Sequence, residues 1–233
     1  MTMAPLIFPL LLALPTQEPI QTPVILDLFN GRDLTGWEGM PGWWSVQDGA
    51  ITAESTPEKP CARAHYLFWR GGEPGDFALE VEYRLRGGNS GIQFRSREID
   101  DFDLRGYQAD CEDGDQWTGC LFEHDRGGVA MRGEDVTIAA DGTRTVKPLG
   151  DPAALLKAVH KQGWNTYSIV AHGPEITLSI NDVMMCRVVD HQEGKAARRG
   201  VIALQMHPGP PMKVEFRKIR LRLFDPPKAS TAP

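Results

Sequence analysis

Between Phe77 and Arg86 the chain alternates without a break: Phe77, Leu79, Val81, Tyr83 and Leu85 are separated by Ala78, Glu80, Glu82, Arg84 and Arg86. A repeat of two over this length is incompatible with the 3.6-residue period of a helix and specifies a strand with one buried and one wet face. Gly87-Gly88-Asn89-Ser90-Gly91 then supplies a turn, and Ile92-Gln93-Phe94-Arg95 restarts the alternation with Gln93 and Arg95 on one side. Tyr107-Gln108-Ala109-Asp110 pairs Gln108 with Asp110 in the same way, and Ala203 to His207 pairs Gln205 with His207. Three strands with matched polar faces predict a lined groove. A plain antiparallel sheet with one solvated face is the competing account for any one of them.

Other runs repeat the strand signal. Trp43 to Val46 and Ile51 to Ala53 flank a Gly-containing turn, while Trp164 to Ala171, Glu175 to Ile180, Val183 to Val189, Gly200 to Met206 and Lys213 to Phe224 follow at short intervals. Only Asp151-Pro152-Ala153-Ala154-Leu155-Leu156 reads as helix, with an N-cap followed by proline at the first helical position. The expectation is an all-β fold, a two-sheet antiparallel β-sandwich with at most one short helix. At 233 residues, with 41% apolar side chains, one core suffices, so residues 24–224 are expected to form a single domain and 225–233 a disordered tail.

A formal charge of −6 without a basic run argues against nucleic acid as a partner. Met1 to Pro19 is apolar but short and broken by Pro5 and Pro9, which fits a secretory signal rather than a membrane span, so the expected location is secreted or periplasmic. Cys61, Cys111, Cys120 and Cys186 lack metal-ligand spacing; they suit either disulfides, with Cys111 and Cys120 facing across a hairpin, or buried thiols.

The ordered motifs LFNGRDLTGW, WWSVQDGAI, GGNSGIQFR, GYQAD, TGCLFE, WNTYSIVAHGPEITLSIN, GVIALQMH and VEFRKIRLRL resemble the 3-keto-disaccharide hydrolase family from about Leu28 to Leu223. Two places depart from its pattern: Lys218 stands where the family usually has Asn, and Glu123 runs into His124-Asp125-Arg126. The resemblance implies a concanavalin A-like jelly roll and a carbohydrate substrate already oxidised to a ketone at its third carbon. That ketone acidifies the hydrogen on the second carbon, so a base can remove it and the enolate can expel the glycosidic oxygen, after which water adds. Such a site needs a base, a donor for the enolate oxygen and an acid for the leaving group, rather than the fixed carboxylate pair of ordinary glycosidases.

On that chemistry His207 is the first candidate for proton transfer, because imidazole titrates near neutrality. Asp110 and Glu123 are the candidate carboxylates, and Arg95 the candidate clamp on the enolate or on hydroxyls, with an Arg95–Asp110 ion pair as its alternative. Gln93, Gln108 and Gln205 are expected to read sugar hydroxyls. Tyr107 joins them as a stacking ring, as do Trp43, Trp44 and Trp117. Asn89 is placed among the sugar contacts, with a turn role as its alternative. No cofactor is required by the sequence; a divalent metal on Asp110, Glu123 and His207 would act as a Lewis acid, but no compact ligand motif supports it. A non-catalytic carbohydrate-binding module is the alternative function, and a structural cell-surface domain a third.

Overall fold

The hydrophobic alternation becomes two stacked sheets. The computed structural model describes residues 24–224; the segments expected as signal (1–19) and tail (225–233) lie outside them. The chain forms β1 (Val24–Asp27), β2 (Trp37–Gly39), β3 (Trp44–Gln47), β4 (Ala50–Ser55), β5 (His65–Trp69), β6 (Phe77–Arg86), β7 (Asn89–Glu98) and β8 (Leu104–Glu112). It continues through β9 (Leu121–Glu123), β10 (Gly127–Ala130), β11 (Glu134–Ile138), β12 (Arg144–Pro148), α1 (Pro152–Leu156), β13 (Asn165–His172), β14 (Glu175–Ile180), β15 (Val183–Asp190), β16 (Val201–Met206) and β17 (Met212–Leu223). One sheet runs β12-β11-β15-β14-β13-β6-β17-β4-β3, with β1 also on β17, and the other β10-β9-β8-β7-β16-β5-β2. All pairings are antiparallel except β11 with β15, which is parallel. The one helix among the described residues is where its cap signal puts it: the Asp151 side chain accepts from the Ala154 backbone N–H.

Phe77, Leu79, Val81 and Tyr83 point into the space between the sheets and meet Ile92, Phe94, Tyr107, Ala109, Leu204 and Met206 from the facing sheet. This burial is the main driving force for stacking the sheets. Gly87 and Gly88, at φ 70 and 63, make the two-residue turn from β6 to β7; a Cβ on Gly87 would lie 2.6 Å from the Pro211 carbonyl oxygen. Asn89 is therefore free to begin β7 rather than to shape the turn. Lys218 sits at φ 47, inside the irregularity of β17 between Arg217 and Arg220. An Asn, usual there in the resembled family, accepts that left-handed backbone more readily than Lys. Cys61, Cys111, Cys120 and Cys186 are all buried, unpaired thiols.

Because Ile92, Phe94, Ala109, Leu204 and Met206 face the core, their alternates Gln93, Gln108, Asp110 and Gln205 stand on the outer face of the seven-stranded sheet. A second apolar cluster of Tyr66, Phe68, Leu104, Val201 and Ala203, joined by Ala64 and Phe102, covers part of that outer face. The Tyr66 backbone N–H donates to the Phe102 carbonyl at 3.0 Å, tying the 99–103 loop across the sheet. What remains open on this face is the candidate site.

Candidate active site

A cavity of about 460 Å³ opens over the ends of β7, β8 and β16, within the usual range for small-ligand sites. Asn89, Gln108, Asp110, Gln205 and His207 line it, together with Tyr66; Trp117, Phe122 and His124 add an aromatic wall, and Arg63, Asp103 and Arg105 stand at its edge. Register explains the floor: Gly91 pairs with Asp110, and Gln93 with Gln108. A Cβ on Gly91 would lie 2.4 Å from Gln108 Cγ, so glycine there leaves the space that the Gln108 side chain occupies.

Two hydrogen-bonded chains organise the polar groups. In the first, Ser96 Oγ donates to Gln93 Oε1 at 3.1 Å, Gln93 Nε2 donates to Gln108 Oε1, and Gln108 Nε2 donates to Asp110 Oδ1. Gln93 is fully buried beneath the cavity, so its part is to orient Gln108 rather than to meet a ligand. Burial pushes the Asp110 carboxyl up to about 8, against the Gln108 hydrogen bond, which favours the ionised form. In the second chain, His124 Nδ1 donates to the Gly106 carbonyl at 3.0 Å, its Nε2 contacts the Tyr66 hydroxyl at 3.0 Å, and Gln205 Nε2 donates to the Tyr66 oxygen at 3.2 Å. Burial raises the Tyr66 phenol to about 12. His207 donates from Nδ1 to the Pro208 carbonyl at 2.5 Å, which leaves Nε2 as the ring's available nitrogen.

Besides Gln93, five expected site residues are elsewhere: Arg95, Tyr107, Glu123, Trp43 and Trp44. Arg95 is a correction: a register shift between Phe94 and Arg97, with Arg95 itself at φ 45, interrupts the alternation and turns its side chain away from Gln93. Its guanidinium is buried on the Gly75 carbonyl at 2.9 Å, the Gly173 carbonyl at 2.8 Å and Asp76 at 2.8 Å, so it ties the two sheets together and does not reach Asp110. Tyr107 faces the core, stacked on Phe94 with ring centroids 5.8 Å apart, and its hydroxyl donates to Asp190 at 2.6 Å. Glu123 pairs with Tyr107 across β9 and β8 and shares its inward side, where Arg126 holds it at 3.1 Å; its neighbour Phe122 takes the cavity side. Glu123 therefore cannot join Asp110 and His207 around a metal ion, and among the described residues no three His, Cys, Asp or Glu side chains are grouped as ligands would be. Trp44 is buried in the core, and Trp43 packs on His65 with Lys59 over its ring at 4.2 Å; only Trp117 of the expected tryptophans lines the cavity.

His124, Tyr66 and Phe122 line the cavity but are not among the site residues expected from the sequence. Tyr66 stands in the unbroken apolar run Tyr66-Leu67-Phe68-Trp69, whose parity the sequence leaves open; the structure puts Leu67 in the core and Tyr66 on the outer face. His124 follows the strand in a turn, and no periodicity reaches it.

The family model described as a 3-keto-alpha-glucoside-1,2-lyase-like domain matches residues 26–222. Among curated proteins, none matches. A crystal structure from Parabacteroides distasonis assigned to the glycosyl hydrolases superposes with a TM-score of 0.57 at 18% identity, covering 86% of this chain and 100% of that one. Carbohydrate-binding module CBM66 from Bacillus subtilis gives 0.52 at 13% identity over 79% and 94% of the two chains, and a family GH16 endo-beta-1,3(4)-glucanase gives 0.50 at 11% identity over 91% and 94%. These likenesses place the chain among concanavalin-like jelly rolls. Among the described residues no helix is long and apolar enough to cross a membrane.

Proposed function

Because the chain belongs to the 3-keto-alpha-glucoside-1,2-lyase-like family, we propose that it cleaves the glycosidic bond of 3-keto-glycosides by proton abstraction, elimination and hydration. The observation that carries this reading is the presence, in one cavity, of an imidazole with an available Nε2 and a carboxyl that burial pushes up to about 8. A ring nitrogen free to take a proton beside a carboxyl that burial keeps protonated suits removal of a hydrogen acidified by an adjacent ketone.

In this reading His207 Nε2 takes the proton from the second carbon. The C–H electrons form the enolate, whose oxygen is held by the acidic O–H of Asp110. The ketone then re-forms, a double bond develops between the first and second carbons, and the bond from the first carbon to the glycosidic oxygen breaks. The departing oxygen receives the proton carried by His207. Water adds to the first carbon of the enone and a proton returns to the second, so the net reaction is hydrolysis. In the same reading Gln108 and Asn89, which line the cavity, hold hydroxyls, and Trp117 and Phe122 cover an apolar face of the sugar.

The test is incubation with a 3-keto-disaccharide in heavy water, with the unoxidised disaccharide alongside. Deuterium at the second carbon of the product and no reaction of the unoxidised sugar are expected. His207→Ala should lower turnover by about two to four orders of magnitude, the usual range for a general acid or base, while weakening binding less. Cleavage without deuterium would rule out elimination; sugar binding without cleavage of any keto-sugar would favour a carbohydrate-binding module.

A further inference from the structure

Glu112 closes β8 two residues after Asp110, and its side chain does not line the cavity. Its Oε2 instead accepts two backbone N–H groups of the loop that follows, from Gln116 at 3.0 Å and from Trp117 at 2.9 Å. We propose that Glu112 is a positioning residue, whose carboxylate shapes the 113–119 loop so that Trp117 is set in the cavity before a sugar ring packs on it. This rests on the proposed function and deepens it by naming what holds one wall of the site in place.

The loop contains neither strand nor helix, so its backbone polar groups need partners of another kind. Arg132, which is buried, takes two of the carbonyls, donating to Asp115 at 2.6 Å and to Thr118 at 2.5 Å. The Trp117 carbonyl accepts from the Cys120 N–H at 2.9 Å. The Gln116 and Trp117 N–H groups remain, and one oxygen of Glu112 satisfies both. A charged acceptor makes these bonds roughly twice as strong as a neutral one. Gly114 lies over the same carboxylate, where a Cβ would come within 3.0 Å of Glu112 Cδ. Thr118 fastens the other end: its hydroxyl donates to the Glu112 carbonyl at 2.9 Å and accepts from the Glu112 N–H at 2.8 Å. The loop is thus wound around one side chain.

The consequence reaches the site through Trp117. With its N–H on Glu112 and its carbonyl on Cys120, the Trp117 backbone is held on both sides of its Cα. The indole meets Phe122 edge to face with ring centroids 5.9 Å apart, and both rings line the cavity. An aromatic wall set before the sugar arrives avoids the ordering cost paid when a side chain and its loop are immobilised on binding. Without the carboxylate the two N–H groups turn to water, the loop loosens and the indole loses its place.

The experiment uses the full chain, with Glu112→Ala, Glu112→Gln, Trp117→Ala and the Glu112→Ala/Trp117→Ala double variant, folding being checked by circular dichroism. In the ligand-free arm, hydrogen exchange at the Gln116 and Trp117 amides should quicken by about tenfold or more in Glu112→Ala, the loss of a hydrogen bond to a charged group. It should quicken less in Glu112→Gln, whose amide oxygen still accepts. In the binding arm, calorimetry with 1,5-anhydro-3-keto-glucitol, which has no glycosidic bond to cleave, should show about tenfold weaker binding for Trp117→Ala. Glu112→Ala should weaken binding several-fold on its own but by less than about twofold when Trp117 is already Ala, because residues acting through one contact are not additive. Glu112→Gln should recover most of that loss. With a 3-keto-disaccharide, Glu112→Ala should raise KM and leave kcat within about twofold. Unchanged exchange in Glu112→Ala, undiminished binding by Trp117→Ala, or an equal loss from Glu112→Ala with and without Trp117 sinks the inference alone when the wild type still cleaves 3-keto-glycosides. A wild type that neither binds nor cleaves keto-sugars removes the proposed function and the inference with it.

Discussion

Replacing Asp110 by Asn should stabilise the protein as pH rises while abolishing most of the proposed glycoside cleavage. The Asp110 carboxyl is held protonated by burial up to about pH 8, whereas in the unfolded chain it ionises near 3.9. Between those values the unfolded state releases a proton that the folded state keeps, so wild-type stability falls with increasing pH by up to about 1.4 kcal/mol per pH unit. Across roughly four units the full cost reaches about 5 kcal/mol. It is absent below the unfolded value and complete above the folded one. Asn keeps an oxygen for the Gln108 N–H donor and does not titrate. Urea unfolding of both proteins at pH 4, 5, 6, 7, 8 and 9 should therefore give a stability difference that moves in favour of Asp110→Asn with each step and levels off above pH 8. A difference independent of pH would show that Asp110 ionises in the folded state as it does in the unfolded chain, and the acid role assigned to it would fall with that result.

The opposite slope is expected from His65, whose ring nitrogens are buried without partners and which burial, helped by Arg63 and Lys59, depresses to about 4. The unfolded chain binds a proton there from about pH 6.5 downward, so relative to His65→Leu the wild type should lose about 3 kcal/mol between pH 6.5 and 4 by chemical denaturation; parallel profiles would refute it. Gly91→Ala should cost about 1–3 kcal/mol, as overpacking does, because its Cβ would meet Gln108 Cγ at 2.4 Å. It should also displace the activity–pH profile by releasing Asp110 from Gln108, and an unchanged profile would show that Gln108 does not hold the acid.

The strands, their inward residues and the capped helix were legible in the sequence because each is a local property. The Phe77–Arg86 alternation needs only a repeat of two, the β6–β7 turn only its glycines, and α1 only an Asp-Pro start. The polar face of Gln93, Gln108, Asp110 and Gln205 follows from the same parity. Parity fails where the backbone slips, and only the tertiary structure shows where. One irregularity after Phe94 sends Arg95 from the expected site to Asp76 and Gly173. The pairing of β9 on β8 decides that Phe122, not Glu123, faces the cavity. Tyr66 meets Gln205 across 139 positions of sequence, and His124 joins them from a turn. Such meetings depend on strand order and loop path, which the pattern within a single strand does not carry.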